Sequence, residues 1–363
     1  MMNEKLNWIK SFEKPLTIAG PCSAESEKQM METAERIDKN YVQAFRAGIW
    51  KPRTKPNCFE GVGAIGLNWL KKVKDEFQFK IATEVATANH VKLALEYDVD
   101  FLWIGARSTA NPFTVQEIAE ALKDTDKVVL VKNPVNPDLE LWIGAIERLR
   151  QQNIQNLGVI HRGFSTYKKT KYRNNPQWQI ALDLMDKMPE IPIICDPSHI
   201  CGNREGLFDV AQQAYNFEYD GLMVETHPNP DEAWSDAKQQ ITPERLLEIL
   251  QKLELRKSDD EDAMYHLNLA RLRNEIDEND QNILENIAQR MLISTQIGEL
   301  KKEHNVAVFQ PERWKQIREN AVTQGGKLGL SAEFIDKLVR AIHQESILHQ
   351  NLIMNKENPI KSE

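Results

Sequence analysis

The stretch FLWIGARSTANPFTVQEIAEALKDTDKVVLV, residues 101–131, contains one complete unit of strand, helix and strand. The apolar runs Phe101–Ile104 and Lys127–Val131 predict buried strands, and the amphipathic pattern over Asn111–Lys123 predicts the helix between them. A connecting helix returns the chain to the same edge of the sheet, so the two strands are expected to run parallel.

The same alternation extends over residues 16–228, with further helical patterns such as Ser26–Asn40. Short apolar runs predict eight strands, at Leu16–Ala19, Val42–Phe45, Lys80–Val85, Phe101–Ile104, Lys127–Val131, Leu157–Ile160, Ile191–Cys195 and Gly221–Val224. Eight such strands indicate an α/β fold of the (β/α)8 TIM-barrel type. A doubly wound open sheet is the alternative, but no glycine-rich nucleotide-binding fingerprint follows the first strand. We therefore predict that the sheet closes.

The character of the sequence changes after residue 251. The segment KLELRKSDDED, residues 252–262, is highly charged and predicts a linker between a barrel domain at 1–251 and a second domain at 263–363. Beyond the linker, apolar residues recur at intervals of three, four and seven over Tyr265–Glu303, which predicts one long helix. With no strand pattern in this part of the sequence, the second domain is predicted to be all-α.

Two further helices are predicted in the second domain. One begins at Pro311, a favourable first-turn residue, and ends before Gly325 and Gly326. The next begins at Ser331. A helix of about 40 residues, roughly 60 Å long at 1.5 Å per residue, cannot bury its apolar stripe inside so small a domain. We therefore expect a three-helix domain that forms an intertwined homodimer.

The composition limits the classes of function. The 363 residues carry a net charge of −8, which argues against a general nucleic-acid-binding protein. The sequence has neither a signal peptide nor a run of 18 apolar residues, so we expect no membrane partner. Four cysteines (Cys22, Cys58, Cys195 and Cys201) are too few for a disulfide scaffold, and they predict reduced thiols in a cytoplasmic protein.

Polar or charged residues follow every predicted strand, at the edge where the active site of a TIM barrel lies. Five cations are expected to converge there: Arg46, Lys51, Arg107, Lys132 and Arg162. Buried charges without partners cost several kcal/mol, so this arrangement predicts a ligand with several negative charges.

The same edge carries a second set of residues, of the types that bind metal ions. The set consists of Cys22, His199, Glu225 and Asp236. One thiolate, one imidazole and two carboxylates suit a borderline divalent ion such as Mn²⁺, Fe²⁺, Co²⁺ or Zn²⁺ better than Mg²⁺.

Several segments resemble the type I 3-deoxy-D-arabino-heptulosonate 7-phosphate synthases, in the subgroup shared with octulosonate-phosphate synthases. They are IAGPCSAES (18–26), FRAGIWKPRT (45–54), IGARS (104–108), VKNP (131–134), HRGF (161–164), DPSH (196–199) and VETHPNPDEAWSDAKQ (224–239). The resemblance covers nearly the whole barrel. It implies condensation of phosphoenolpyruvate with erythrose 4-phosphate, the first step of the shikimate pathway, at a divalent metal ion.

The resemblance also implies roles for single residues. It makes Cys22, His199, Glu225 and Asp236 the metal ligands, and it places Arg46, Lys51, Arg107, Lys132 and Arg162 around phosphoenolpyruvate. It assigns Arg53, Thr54 and Ser108 to the phosphate of the aldose and Asp196 to the aldose hydroxyls. Lys51 or a metal-bound water is the candidate for proton delivery.

The alternative barrel activity is that of a 3-deoxy-D-manno-octulosonate 8-phosphate synthase, which shares the fold and the phosphoenolpyruvate pocket. That family carries Asn-Arg-Ser where this chain has Lys51-Pro52-Arg53-Thr54. The difference favours the four-carbon aldose.

Three cations lie along the predicted long helix. Arg290 and Lys301 are separated by about three turns, roughly 16 Å, and could hold a small dianion between them. Arg273 lies about 25 Å further back and could serve only a site on another subunit. A solvated coiled-coil face is the alternative interpretation of the same pattern.

The segments LARLRNEIDENDQNILENIAQRMLISTQIGELKK (269–302), QPERW (310–314) and QESILHQN (344–351) resemble the all-helical chorismate mutases. The resemblance implies that chorismate, which rearranges to prephenate, contacts Arg273 of the partner chain together with Arg290, Lys301, Arg313, Ser346 and Gln350. Lys301 and Gln350 would donate to the ether oxygen, where charge develops. Gln310 and Trp314 depart from the acidic residues common in that family.

The alternative is a helical domain that only dimerises and senses chorismate or prephenate. In either case we expect that ligand binding to the helical domain restrains the barrel by feedback.

Overall fold

The computed structural model describes residues 5–12, 15–51, 59–167, 170–256, 259 and 262–355. The chain divides into two compact units, Met1–Ser258 and Asp259–Glu363. Among the described helices, none combines the length and apolar character needed to cross a membrane.

The first unit is a closed parallel barrel, as the sequence predicts. Its strands pair in chain order, and the last strand returns to pair with the first. They are β1 (Leu16–Gly20), β2 (Ala44–Arg46), β3 (Lys80–Val85), β4 (Phe101–Ile104), β5 (Val128–Lys132), β6 (Leu157–His161), β7 (Ile193–Cys195) and β8 (Gly221–Glu225). The predicted starts of β2 and β7 were each two residues early, because the N–H groups of Val42 and Ile191 donate to turn carbonyls instead.

Several helices of the first unit begin with a side-chain cap, as Ser26 caps the helix Glu27–Arg36 and Asp138 caps the helix Leu139–Gln151. The helices of this unit surround the barrel. They are α1 (Asn7–Lys10), α2 (Glu27–Arg36), α3 (Ile65–Phe77), α4 (Ala88–Glu96), α5 (Ala106–Thr109), α6 (Pro112–Ala121), α7 (Leu139–Gln151), α8 (Trp178–Lys187), α9 (Pro197–Cys201), α10 (Leu207–Asn216) and α11 (Pro243–Lys252).

The interior of the barrel is filled by apolar side chains that form a cluster separate from the sheet–helix core. The strand residues of this cluster are Leu16, Ile18, Ala44, Ala82, Phe101, Trp103, Leu130, Ile160, Ile194 and Met223. Alternate residues of a strand face the same side. The next inward position, which lies at the end of the strand or just after it, is therefore charged in six cases: Arg46, Glu84, Lys132, Arg162, Asp196 and Glu225. These charges form a ring directly above the apolar layer.

The described residues of the second unit form three helices, α12 (Ala263–Glu303), α13 (Pro311–Lys327) and α14 (Ala332–Met354). The all-α prediction is confirmed, but the predicted end of α13 was wrong, since the helix continues through Gly325 and Gly326. A Cβ at Gly325 would lie 2.5 Å from Ile335 Cδ1, so this glycine allows close helix packing. The turn after α13 uses Gly329 instead, at φ +80°.

The first half of α12 is largely exposed in the described part of its unit. No described side chain over residues 264–290 is buried, and Leu267, Ile276 and Leu284 are 65%, 58% and 62% exposed. Apolar side chains repeated along one helix and left in water form a surface that suits association with another molecule.

Candidate active sites

Three of the four predicted metal ligands form a cluster at the carboxyl end of the barrel. One atom from each of Cys22, Glu225 and Asp236 lies within 4.8 Å of the others. Cys22 follows β1, Glu225 ends β8, and Asp236 lies in a loop with a left-handed φ of 47°. The fourth residue, His199 of α9, lies beside the cluster, with Nε2 3.8 Å from Glu225 Oε1. The structure therefore brings together one sulfur, one imidazole and two carboxylates.

The electrostatics of this cluster suit a bound cation. Burial and the charge of Glu225 raise the pKa of the Cys22 thiol to about 12. Burial lowers the pKa of His199, so the imidazole is neutral at pH 7 and Nε2 can act as a ligand. Metal binding deprotonates a coordinating thiol, so a divalent ion would remove the cost of the Cys22 thiolate. The donor set fits such an ion.

Several residues that the sequence interpretation missed hold the candidate ligands in place. Gln239 Nε2 donates to Glu225 Oε2 at 2.6 Å, and Gln240 Oε1 accepts from the Cys22 backbone N–H at 3.0 Å. Arg173 donates to Asp236 Oδ1 at 3.0 Å. Such contacts orient ligands and tune their basicity. Gln239 ends the segment 224–239, but Arg173 lies in an irregular segment that shows no periodic signal.

Arg46 is buried, and two of its three guanidinium nitrogens have no hydrogen-bond partner among the described residues. Its side chain is 1% exposed, and Nη2 donates to Glu225 Oε1 at 3.1 Å. Nε and Nη1 are also buried, and neither has a hydrogen-bond partner within the described part of the chain. A buried donor without an acceptor costs about 1–3 kcal/mol, and more when it is charged. The unpaired Nε and Nη1 of this guanidinium therefore indicate an anionic ligand.

Lys132 and Asp196 form a second buried ion pair in the charged ring, with Nζ 2.8 Å from Oδ2. Asp196 Oδ1 accepts the backbone N–H of His199, and Oδ2 lies 2.8 Å from His199 Nδ1. Burial would raise the pKa of Asp196, but His199 and Lys132 hold it well below its usual range. Both oxygens of Asp196 thus contact protein groups, which leaves it little freedom to bind a sugar hydroxyl.

Arg162 is buried near two other positive charges, those of Arg173 and Arg107. Burial lowers the pKa of Arg162 to about 10. The negative charge of Asp196 raises this pKa, whereas the positive charges of Arg173 and Arg107 lower it further. Arg107 is exposed, and the adjacent Ser108 is buried. Like charges held this close favour a ligand with several negative charges. The predicted aldose contacts Arg53 and Thr54 lie outside the described residues.

Lys51 lies against the metal-ligand cluster, in contact with Cys22. Its Nζ donates to the carbonyl oxygen of Cys22 at 2.9 Å and to the Sγ at 3.0 Å. Burial favours the neutral amine, but the Cys22 sulfur in its ionised form and the carboxylates of Glu225 and Glu84 raise the pKa of Lys51. Lys51 is therefore a protonated ammonium at pH 7 and can act as a proton donor.

The second unit contains a cavity of about 360 Å³ between its three helices. Five of the predicted chorismate contacts line it: Arg290, Lys301, Arg313, Ser346 and Gln350. Arg290 donates to the hydroxyl of Ser346, and Lys301 Nζ donates to Gln350 Oε1 at 3.0 Å and to the Val308 carbonyl at 2.6 Å. Three cations and two polar side chains around one small cavity suit a dianion.

The remaining predicted contact, Arg273, does not line this cavity. It is exposed on α12, about 25 Å back along the helix from Arg290. Gln310 and Trp314, the two departures from the family pattern, both line the wall. His343 was missed by the sequence interpretation, and its ring stacks on Trp314 at 4.0 Å. A lone histidine on a helix gave no signal that it would reach the cavity.

The matches to known proteins fall into two parts of the chain, which correspond to the barrel unit and the helical unit. Residues 8–259 match the sequence profile of the DAHP synthetase I family, and residues 272–351 match that of chorismate mutase type II. A phospho-2-dehydro-3-deoxyheptonate aldolase of Thermotoga maritima is 32% identical over 236 residues, which cover 65% of this chain and 68% of that protein. A 2-dehydro-3-deoxyphosphooctonate aldolase of Desulfotalea psychrophila is 29% identical over 268 residues, covering 68% and 90%.

Solved structures agree with the barrel assignment. The crystal structure of phospho-2-dehydro-3-deoxyheptonate aldolase from Thermotoga maritima has a TM-score of 0.59 and 30% identity, and the match covers 65% of this chain and 67% of that one. A truncated 3-deoxy-D-arabino-heptulosonate 7-phosphate synthase from the same organism has a TM-score of 0.56 and 27% identity, covering 65% and 84%. The chain therefore belongs to the DAHP synthetase I family, and it carries a chorismate mutase type II domain after the barrel, so that one polypeptide combines an aldolase-type synthase with a mutase.

Proposed function

We propose that the barrel condenses phosphoenolpyruvate with erythrose 4-phosphate to give 3-deoxy-D-arabino-heptulosonate 7-phosphate and phosphate, and that the reaction depends on a divalent metal ion. The observation that carries this proposal is the position of Arg46. Its unpaired Nε and Nη1 are buried beside the Cys22–Glu225–Asp236 cluster. An anion site and a metal site therefore adjoin, which a metal-assisted attack on an aldehyde requires.

Cys22, Glu225 and Asp236, with His199 beside them, would hold Mn²⁺, Fe²⁺, Co²⁺ or Zn²⁺. When bound, the ion supplies Lewis acidity toward the aldehyde oxygen. Arg46, Lys132 and Arg162 bind the phosphate and carboxylate groups, and they fix carbon 3 of phosphoenolpyruvate for attack on the aldehyde.

Lys51 supplies the proton in this proposal. It is charged at pH 7, and its Nζ lies next to Cys22, where the aldehyde oxygen would be bound. A positioned acid of this kind contributes typically about 10²–10⁴ in rate. Asp196 holds Lys132 and His199 in orientation through its two oxygens.

The aldose is the four-carbon phosphate, and its phosphate would bind Ser108 together with Arg53 and Thr54, while Arg107 joins the cations that bind phosphoenolpyruvate. The relatives compared above carry both heptonate and octonate names, and Arg53 and Thr54 are the residues expected to discriminate. The test is phosphoenolpyruvate consumption with erythrose 4-phosphate against arabinose 5-phosphate, before and after chelation. Faster consumption with arabinose 5-phosphate would support the octulosonate alternative instead.

We propose that the helical unit rearranges chorismate to prephenate. The cavity of about 360 Å³ with its three cations supports this activity. A pericyclic reaction needs no nucleophile. It needs the substrate held in its reactive shape and donors where charge develops. Lys301 and Gln350, which are hydrogen-bonded to each other, would meet the ether oxygen, while Arg290 and Arg313 hold the carboxylates.

The mutase site is complete only in a homodimer in this proposal. The exposed apolar stripe on the first half of α12 supports pairing with a second copy, and that half also carries Arg273. The partner's first half-helix would then bring a sixth contact to the cavity. We further propose that prephenate or chorismate bound in this site lowers the synthase activity of the barrel. Formation of prephenate by the purified chain tests the mutase; absence of turnover would leave the sensing role alone.

A further inference from the structure

Trp103 lies in the interior apolar layer of the barrel, just below the charged ring, and has no role in the function proposed so far. It is the last inward residue of β4 and is completely buried in the interior apolar layer. Its ring lies beneath two cations of the charged ring. Arg46 Cζ is 4.9 Å from the ring centroid, and Lys132 Nζ is 5.7 Å from it. Both distances are within the range of cation–π attraction.

An aromatic ring stabilises these two cations in a different way from a carboxylate. Arg46 and Lys132 are 1% and 4% exposed, so both charges have lost most of their hydration. Another carboxylate would stabilise them, but it would also occupy their N–H groups and cancel the charge that attracts a ligand. The face of an indole attracts a cation through its quadrupole and leaves the N–H edges free. This agrees with the uncommitted Nε and Nη1 of Arg46.

The orientation of the indole is itself fixed. Trp103 Nε1 donates to Glu84 Oε2 at 3.0 Å, and the two residues are register partners in β3 and β4. The carboxylate of Glu84 fits there because residue 105 is glycine, and a Cβ at Gly105 would overlap Glu84 Oε1. Glu84 and Gly105 thus fix the position of the Trp103 ring.

We propose that Trp103 is a positioning residue of the phosphoenolpyruvate site, which holds Arg46 and Lys132 in place while their remaining N–H donors stay available to the ligand. The inference rests on the proposed function for these two cations. Trp103 does not touch the substrate in this arrangement, so its effect is expected mainly in the KM for phosphoenolpyruvate.

The test uses the full-length chain with Trp103→Leu and Trp103→Met, which remove the ring, and Trp103→Phe, which keeps an aromatic face. Trp142 is the matched control, since it is equally buried but donates Nε1 to the Val131 carbonyl in the sheet–helix core. We expect the ringless variants to raise the KM for phosphoenolpyruvate about tenfold or more, with kcat changed less than about threefold, and Trp103→Phe to stay within about threefold of wild type.

The role of Trp103 is rejected if the ringless variants keep the wild-type KM, or if Trp142→Leu raises it equally. A second measurement does not depend on the folding of those variants. Incorporation of fluorinated tryptophan weakens the negative ring face with little change in shape. The KM for phosphoenolpyruvate should rise in the wild-type background but not in Trp103→Phe, and an equal response in both would overturn the proposal. A wild-type chain that consumes no phosphoenolpyruvate would instead reject the proposed function.

Discussion

Lys51 Nζ lies 3.0 Å from the sulfur of Cys22 and 2.9 Å from the carbonyl oxygen of the same residue. The expected proton donor is therefore tied directly to an expected metal ligand. Because the two side chains are in contact, their roles can be distinguished only by measuring metal content and activity separately. Loss of Cys22 should affect metal content and activity together, whereas loss of Lys51 should affect activity at full metal content.

Cys22→Ala is expected to lose the bound divalent ion and to lower synthase activity by about 100-fold or more, because one of few ligands is removed. Elemental analysis of the purified chain and phosphoenolpyruvate consumption measure the two effects. Cys195→Ala is the control, since that buried thiol faces the sheet–helix core. Full metal content in Cys22→Ala would contradict the assigned ligand set.

Arg46→Lys is expected to raise the KM for phosphoenolpyruvate about tenfold or more, because an ammonium cannot replace the planar, multidentate guanidinium. The charge opposite Glu225 is retained, so the melting temperature should change little. Initial rates over a range of phosphoenolpyruvate concentrations, together with thermal unfolding, check the expectation. An unchanged KM would mean that Nε and Nη1 of Arg46 do not meet the substrate.

Arg290→Ala and Arg273→Ala are each expected to lower kcat/KM for chorismate by about 100-fold or more, since each removes a charged substrate contact. Arg271→Ala serves as the control, because Arg271 is exposed on α12 and pairs with Glu275 instead. Prephenate formation measures the effect.

A mixture of the two inactive variants provides a sharper test of the shared site. In a heterodimer, one site receives both substitutions and the other receives neither. Random exchange at equal amounts should therefore restore about one quarter of wild-type mutase activity. No recovery after demonstrated subunit exchange would show that Arg273 does not reach the partner's cavity.

Saturating prephenate is expected to lower synthase activity of the wild-type chain, and Arg290→Ala should be much less sensitive. Linkage requires that an effector act through a difference in its affinity for two states of the chain, so weaker binding at Arg290 weakens the response. Synthase rates with and without prephenate measure this. Wild-type rates that are indifferent to prephenate would remove the feedback proposal without affecting either activity.

His161 predicts a pH dependence of stability. Burial among aromatic side chains lowers its pKa from 6.5 to about 4, and the hydrogen bond to the Pro176 carbonyl opposes this lowering only in part. Between these values the unfolded chain binds more protons at this site, so the free energy of unfolding falls as the pH falls. The contribution is about 2 kcal/mol between pH 7.5 and pH 5. Denaturant unfolding at both values should show a smaller decrease in His161→Gln, and equal decreases would contradict the assignment.

The barrel could be predicted from the sequence because each strand and helix repeats a local pattern. The charged ring could be anticipated for the same reason, since residues that follow parallel strands meet at one edge. The end of α13 was mispredicted because a glycine that ends a helix and one that allows close packing look alike in a sequence. Only the contact with Ile335 distinguishes them.

Other parts of the site depend on contacts between distant segments. Arg173 reaches Asp236, and Gln240 reaches Cys22, across separations of 63 and 218 residues. No local periodicity records such pairs. Trp103 was predicted only as part of a strand, because an apolar residue in an apolar run gives no sign that two cations lie over it.

The register of the barrel limits where insertions and deletions can be tolerated in this chain. Each charged residue of the ring stands two positions beyond a residue of the interior layer, as Arg46 follows Ala44 and Glu225 follows Met223. Insertion or deletion of one residue within a strand would turn that charge toward the helices and an apolar side chain into the mouth. Activity and folding would be lost in one step. Length variation is therefore expected in the loops of this enzyme and not in its strands.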